Sequence, residues 1–125
     1  MSGRRAARRT ALFLLYQWDV TGQPIASLYE GEVDPFASET AEAVAADAEE
    51  LDRRITAASE GWTADRLGAI ERNVLRIGVL ELDSGSVPPE VAINEAIELA
   101  KRYATEDAAR LVNGILGRIA RERVS

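Results

Sequence analysis

The chain has 125 residues, of which 46% are hydrophobic and 29% charged; it carries a net charge of −6 and contains neither cysteine nor histidine. That length suits one domain, expected over residues 1–125, with a core of its own and no need for covalent staples. Without cysteine there is no disulfide framework, thiolate nucleophile or cysteine metal site, and without histidine the commonest general base and metal ligand are gone.

The residues then read as helices almost throughout, because Ala, Leu, Glu and Arg dominate and apolar positions recur at helical spacing. A first helix is expected from about Arg4 to Val20, stopping at Thr21-Gly22. On a helical wheel Ala7, Ala11, Leu14, Leu15 and Trp18 share the buried side. Arg4, Arg5, Arg8 and Arg9 cluster beside it on a stripe that continues through Leu12 and Tyr16, offered to solvent or a ligand. Residues 1–20 hold a local charge of +3. Four arginines in the first turns oppose the helix dipole, a cost that an electrostatic role offsets. The apolar stretch Ala11 to Tyr16 is too short for a signal peptide and lacks a cleavage pattern, so a cytoplasmic location is expected.

A turn of helix around Ile25 to Tyr29 ends at Gly31. Pro35 opens a helical stretch to about Ser59, broken near Ala46-Asp47, with sparse apolar positions (Phe36, Val44, Leu51, Ile55). Residues 21–60 carry a local charge of −8, so one flank can attract a polyanion while another repels it. Thr63 is placed to cap the next element.

The most hydrophobic helix follows, about Gly68 to Asp83. Leu67, Ile70, Val74 and Ile77 form one line, and Leu75, Val79 and Leu82 a second, which describes a central helix packed on two sides. Arg72, Arg76 and Asp83 fill its narrow polar sector, while Glu71 lies among Leu75, Gly78 and Leu82. After the loop Ser84-Gly85-Ser86, Pro88-Pro89-Glu90 starts a helix that buries Ile93, Ala96, Ile97, Ala100 and Tyr103. Glu98 and Arg102 are spaced as an i, i+4 pair, and Asn94 is expected as a buried hydrogen-bonder. Thr105 caps the last helix, with Glu106 and Asp107 in its first turn. Trp18 and Trp62 read most simply as core or core-rim residues, although a surface indole could stack a base, and Asn113-Gly114 as a point of close helix packing. The sum is an all-α compact bundle of about six to seven helices.

Three stretches resemble the NusB transcription antitermination family. They are Glu71-Arg72-x-x-Leu75-Arg76-Ile77-Gly78-x-x-Glu81-Leu82, Val91-Ala92-Ile93-Asn94-Glu95-Ala96-Ile97-Glu98-Leu99-Ala100-Lys101 and Val112-Asn113-Gly114-Ile115-Leu116. The arginine-rich opening that ends in Leu15-Tyr16 is similar too, so the likeness covers the chain in order. It implies two packed three-helix-type subbundles and a non-enzymatic role with no cofactor, metal or catalytic residue. It also implies a heterodimer with NusE, a small-subunit ribosomal protein, on the single-stranded boxA element of nascent RNA. Contact with the RNA polymerase elongation complex is then indirect, and the outcome is read-through in ribosomal RNA operons.

Under the resemblance Arg4, Arg5, Arg8, Arg9, Asp107 and Arg110 become the RNA-binding candidates. Tyr16 and the central helix, through Glu71, Arg72 and Arg76, become the partner-binding ones. Some relatives self-associate over the RNA side, so a homodimer is a further expectation. Many relatives carry an aromatic residue where this chain has Leu111; a base stack of about 1–3 kcal/mol would be absent there. Two other readings stand beside this one. Similar helical domains precede the catalytic part of some ribosomal RNA methyltransferases, and a purely protein-binding adaptor would turn its arginines to an acidic protein.

Overall fold

A computed structural model describes residues 3–123. Within them lie six α-helices: α1 (Gly3–Thr21), α2 (Pro35–Ala46), α3 (Ala48–Ala58), α4 (Ala69–Ser84), α5 (Pro89–Tyr103) and α6 (Glu106–Arg123). Two short 3-10 turns, Ile25–Ser27 and Ala64–Arg66, complete the regular structure, and the described residues include no strand. The all-α fold read from the sequence is thus the observed one.

Helix boundaries follow local chemistry. Asp34 caps α2, its Oδ1 accepting from the Phe36 N–H at 2.8 Å, with Pro35 supplying a preset φ at the first position. Asp47, at φ −113°, interrupts the run between α2 and α3 where the break was expected. Gly85 closes α4 at φ +67°, a left-handed conformation that a side chain would strain. Pro88 and Pro89 start α5, and Thr105 Oγ1 accepts from the Ala108 N–H at 2.9 Å to start α6. Thr63 makes no capping bond. The neighbouring Ala64 N–H instead donates across the chain to Thr56 Oγ1 at 3.0 Å, because α4 begins later, at Ala69, and the segment before it is tied to α3.

Helix α4 packs against all the other helices. Asn73 through Val79 are buried without interruption, so its apolar arc is filled from both sides, as its width requires. Gly78 makes the closest approach. A Cβ built there would lie 2.6 Å from Leu116 Cδ1 and 3.1 Å from Leu116 Cδ2, on the facing side of α6. Gly114, expected to serve that purpose, is exposed with open space around it. Asn94 and Asn113 are also exposed, and the buried asparagine is Asn73.

The polar sector of α4 turns inward as well. Asp19 of α1 accepts from Arg72 Nε at 2.8 Å, Asn73 Nδ2 at 2.9 Å and Arg76 Nη1 at 3.2 Å, all on one oxygen. Arg76 also grips Asp52 of α3 through Nε and Nη2, at 2.7 and 2.6 Å, and lies 5.5 Å over the Trp18 ring. Arg72 Nη1 donates to the Leu67 carbonyl at 2.6 Å and the Ala64 carbonyl at 3.1 Å. The family resemblance places these arginines on a partner-facing surface. The structure corrects that: Arg76 is buried, the Arg72 side chain is 14% exposed, and both spend their donors joining α1, α3 and α4. A buried guanidinium needs such partners, since its desolvation is costly otherwise.

The Gly78–Leu116 contact makes a prediction of opposite signs. In the native chain Gly78→Ala lowers stability by about 1 kcal/mol, since overpacking of about 1–3 kcal/mol exceeds the helix-propensity gain of about 1. In a Leu116→Ala background the same change raises stability, because the obstructing methyls are gone. Urea unfolding of the four proteins in the cycle checks it; additive effects would show that the contact is not limiting.

Candidate nucleic-acid interface

Helix α1 begins with no acidic residue in its first turn, so Arg5 and Arg8 find their counter-charges on other helices. Arg8 makes a bidentate pair with Glu81 of α4, Nε to Oε1 at 2.8 Å and Nη2 to Oε2 at 2.7 Å. Both side chains are nearly dry, at 5% and 7% exposure. The Glu81 hydrogen bond raises the Arg8 guanidinium further above its ordinary value, against the opposing effect of burial. Arg8 therefore does not belong to an open stripe, and Leu12, placed on that stripe by the wheel, is fully buried. The buried side of α1 is wider than the sequence suggested, because α2 and α4 both close on it.

The other arginines remain accessible to different degrees. Arg5 bonds Glu95 of α5 through Nε at 3.2 and 3.1 Å, yet its side chain is 67% exposed. Glu95 also stands 3.5 Å from Arg8 Nη1. Arg4 is exposed and stacks its guanidinium 4.2 Å from the centre of the Phe36 ring, at the start of α2. Arg9 is half-buried and has no carboxylate partner among the described residues.

Arg5, Arg8 and Arg9 line a cleft of about 290 Å³ between α1 and α5, facing Glu95, Glu98, Lys101 and Arg102. Lys101 and Arg102 are exposed there. Sequence spacing misses both: it links nothing to Lys101 and pairs Arg102 with Glu98, yet that pair is not among the ion pairs of the described residues, and Arg102 lies over the Tyr103 ring instead. With Glu81 answering Arg8 from below, the cleft itself is cationic.

Asp107 and Arg110 lie elsewhere. They form an exposed i, i+3 ion pair in the first turns of α6. Arg110 borders a second cleft between α3 and α6, lined also by Ser59, Trp62, Leu111, Arg118 and Arg121. The Ser59 Oγ is buried without a partner, and Trp62 is 51% exposed, so Trp62 is a surface residue rather than core. Of the six RNA-binding candidates, Arg5, Arg8 and Arg9 thus line the first cleft and Arg110 the second, while Arg4 and Asp107 line neither.

Of the partner-binding candidates, Tyr16 is 41% exposed and shares one face of α1 with Phe13 at 42% and Val20 at 60%. Phe13 meets Tyr103 edge-on with ring centres 5.1 Å apart. Glu71 is half-buried, its carboxylate lying close over Gly68 at the positive end of the α4 dipole. Asp19, one turn beyond Tyr16, bonds Arg72, which adjoins Glu71, so Tyr16 and Glu71 occupy the same end of the α1–α4 pair.

The NusB family profile matches residues 5–121. Transcription antitermination protein NusB of Rubrobacter xylanophilus is 43% identical over 120 residues, covering 90% of this chain and 86% of the relative. The protein of the same name from Saccharopolyspora erythraea is 40% identical over 130 residues, covering 96% and 88%. Among solved structures, T. maritima NusB superposes with a TM-score of 0.83 at 34% identity, covering 95% of this chain and 91% of that one. A chain from the crystal structure of antitermination factors NusB and NusE in complex with dsRNA gives a TM-score of 0.84 at 33% identity, with 98% of both chains covered. Sequence and fold agree along nearly the whole length, and the chain belongs to the NusB family.

Proposed function

We propose that this protein is a transcription antitermination factor that binds single-stranded, boxA-type RNA together with NusE and performs no chemistry itself. The observation that carries this reading is the α1–α5 cleft, where Arg5, Arg9, Lys101 and Arg102 gather around a core-locked Arg8. Phosphates bind such a cluster because each cation displaces condensed counterions from the nucleic acid. Rigid anchoring of α1 by Glu81 lowers the ordering cost that flexible arginine tails incur. A family member has been crystallised with NusE and dsRNA, which supports NusE and RNA as partners; the single-stranded boxA type follows the family resemblance.

The second cleft, between α3 and α6, offers a separate set of contacts. Arg110, Arg118 and Arg121 supply phosphate contacts, and the half-exposed Trp62 offers a π-face to a base. Asp107, held by Arg110, becomes a base-amine acceptor once a phosphate takes the arginine. Leu111 supplies apolar contact without a stack.

NusE docks on the exposed stripe Phe13, Tyr16 and Val20 of α1, with Glu71 meeting its basic surface. Arg72 and Arg76 act from behind, holding the α1–α4 end in shape through Asp19. Each protein then presents the other's RNA contacts at high effective concentration.

Titration of boxA-type RNA across a salt series is expected to give a log–log slope near −3, for about four phosphate contacts. Arg9→Ala and Lys101→Ala each flatten the slope by about 0.7 while the fold stays intact. Arg8→Ala behaves differently, costing about 3–5 kcal/mol of folding stability because Glu81 is left buried and unpaired. Unchanged affinity and slope in the Arg9→Ala/Lys101→Ala double variant would refute the cleft as the RNA site. For the protein partner, Tyr16→Asp weakens NusE binding by about 2 kcal/mol or more, the size of an aromatic hot spot. Calorimetry with native-like affinity for that variant would move the docking surface elsewhere.

A further inference from the structure

The charge balance around Arg5 is unusual for a phosphate site. Arg5 and Arg8 face Glu81 and Glu95, so this part of α1 is electrically neutral despite its arginines. The two ion pairs differ in kind. Arg8–Glu81 is dry and bidentate, and nothing from solvent displaces it. Arg5–Glu95 has one wet partner, with Arg5 67% and Glu95 15% exposed, and bridges of that sort are weak enough to exchange. Glu95 also lines a second hollow, beside Gly3, Arg4, Val87 and Val91, as well as the α1–α5 cleft. The Arg5–Glu95 bridge stands where the two meet.

Exchange at this bridge leaves no buried charge stranded. When Arg5 turns to a phosphate, Glu95 keeps Arg8 Nη1 at 3.5 Å. The carboxylate stays fixed in the cleft and repels any phosphate that approaches without engaging Arg5. We infer that Glu95 is a specificity-determining residue: it withholds Arg5 from polyanions at large and yields it only to a strand whose phosphate is correctly placed. Discrimination arises here from a built-in repulsion rather than an added attraction. The inference rests on the RNA-binding reading above and deepens it.

Glu95→Gln tests it, because the amide keeps the size and one acceptor oxygen while the charge is removed. Affinity for oligouridine, standing for non-cognate RNA, is expected to rise about fivefold and its salt slope to steepen by about 0.7, one phosphate contact. Affinity for boxA-type RNA rises less than twofold, so the preference between the two RNAs shrinks. Equal gains on both RNAs, no change, or a loss on both would overturn the inference. Arg5→Gln supplies a test that leaves Glu95 untouched: it lowers boxA-type affinity several-fold more than oligouridine affinity, whereas Arg9→Gln lowers both alike. Equal losses for Arg5→Gln would also overturn it. Wild-type titration separates the two levels. If neither RNA binds, the functional reading falls and the inference with it; if wild type binds and Glu95→Gln changes nothing, only the inference falls.

Discussion

The N-terminal turns of α1 have a place in this bundle because Arg8 is paired inside it. A helix that starts with arginines works against its own dipole and against charge repulsion between neighbours. Glu81 removes that conflict from below, through a pair that the interior keeps from water, and Glu95 does so from the side. Arg4, on Phe36, and Arg9, at the cleft, are then presented by a helix whose position is fixed. The surface on which ligand binding is proposed is thus a product of the interior.

Helix α4 gives both ends of α1 their anchors. Near its C-terminal end it offers Glu81 to Arg8; near its N-terminal end it offers Arg72, Asn73 and Arg76 to Asp19. The signs are reversed between the two ends, which fixes the two helices antiparallel and in one register. Gly78, between these clusters, lets α6 come close on another side. One helix thereby sets the positions of the cationic cleft, the aromatic stripe ending at Val20, and the start of α6.

Much of this was legible in the residues. Pro35, Gly85, Pro89 and Thr105 act locally, through φ restriction, capping or a left-handed turn, and each ended or began a helix where expected; the break at Asp47 also fell where expected. The width of the apolar arc on α4 likewise revealed its central position, since the arc depends on spacing alone. The errors have a common physical source. A helical wheel gives the direction of Arg8, Leu12, Arg72 and Arg76 but not what stands opposite, and their partners are far away in sequence. Asn73 and Asn94 carry the same side chain; only the tertiary arrangement decides that one meets Asp19 and the other meets water. Lys101 was overlooked for the same reason, because nothing local connects it to Arg9. Trp62 lacked the covering element that its apolar ring suggested.

Arg8 and Glu81 stand 73 positions apart, yet the interior treats them as one object. Replacing either alone strands an ion away from water, whereas exchanging both for apolar residues of matching volume leaves no such debt. Over generations of substitution the two positions are therefore constrained to change in concert or not at all, while an exposed residue such as Arg4 is free to drift alone. Descendants of this sequence should carry the signature of that coupling as a correlated pair of sites.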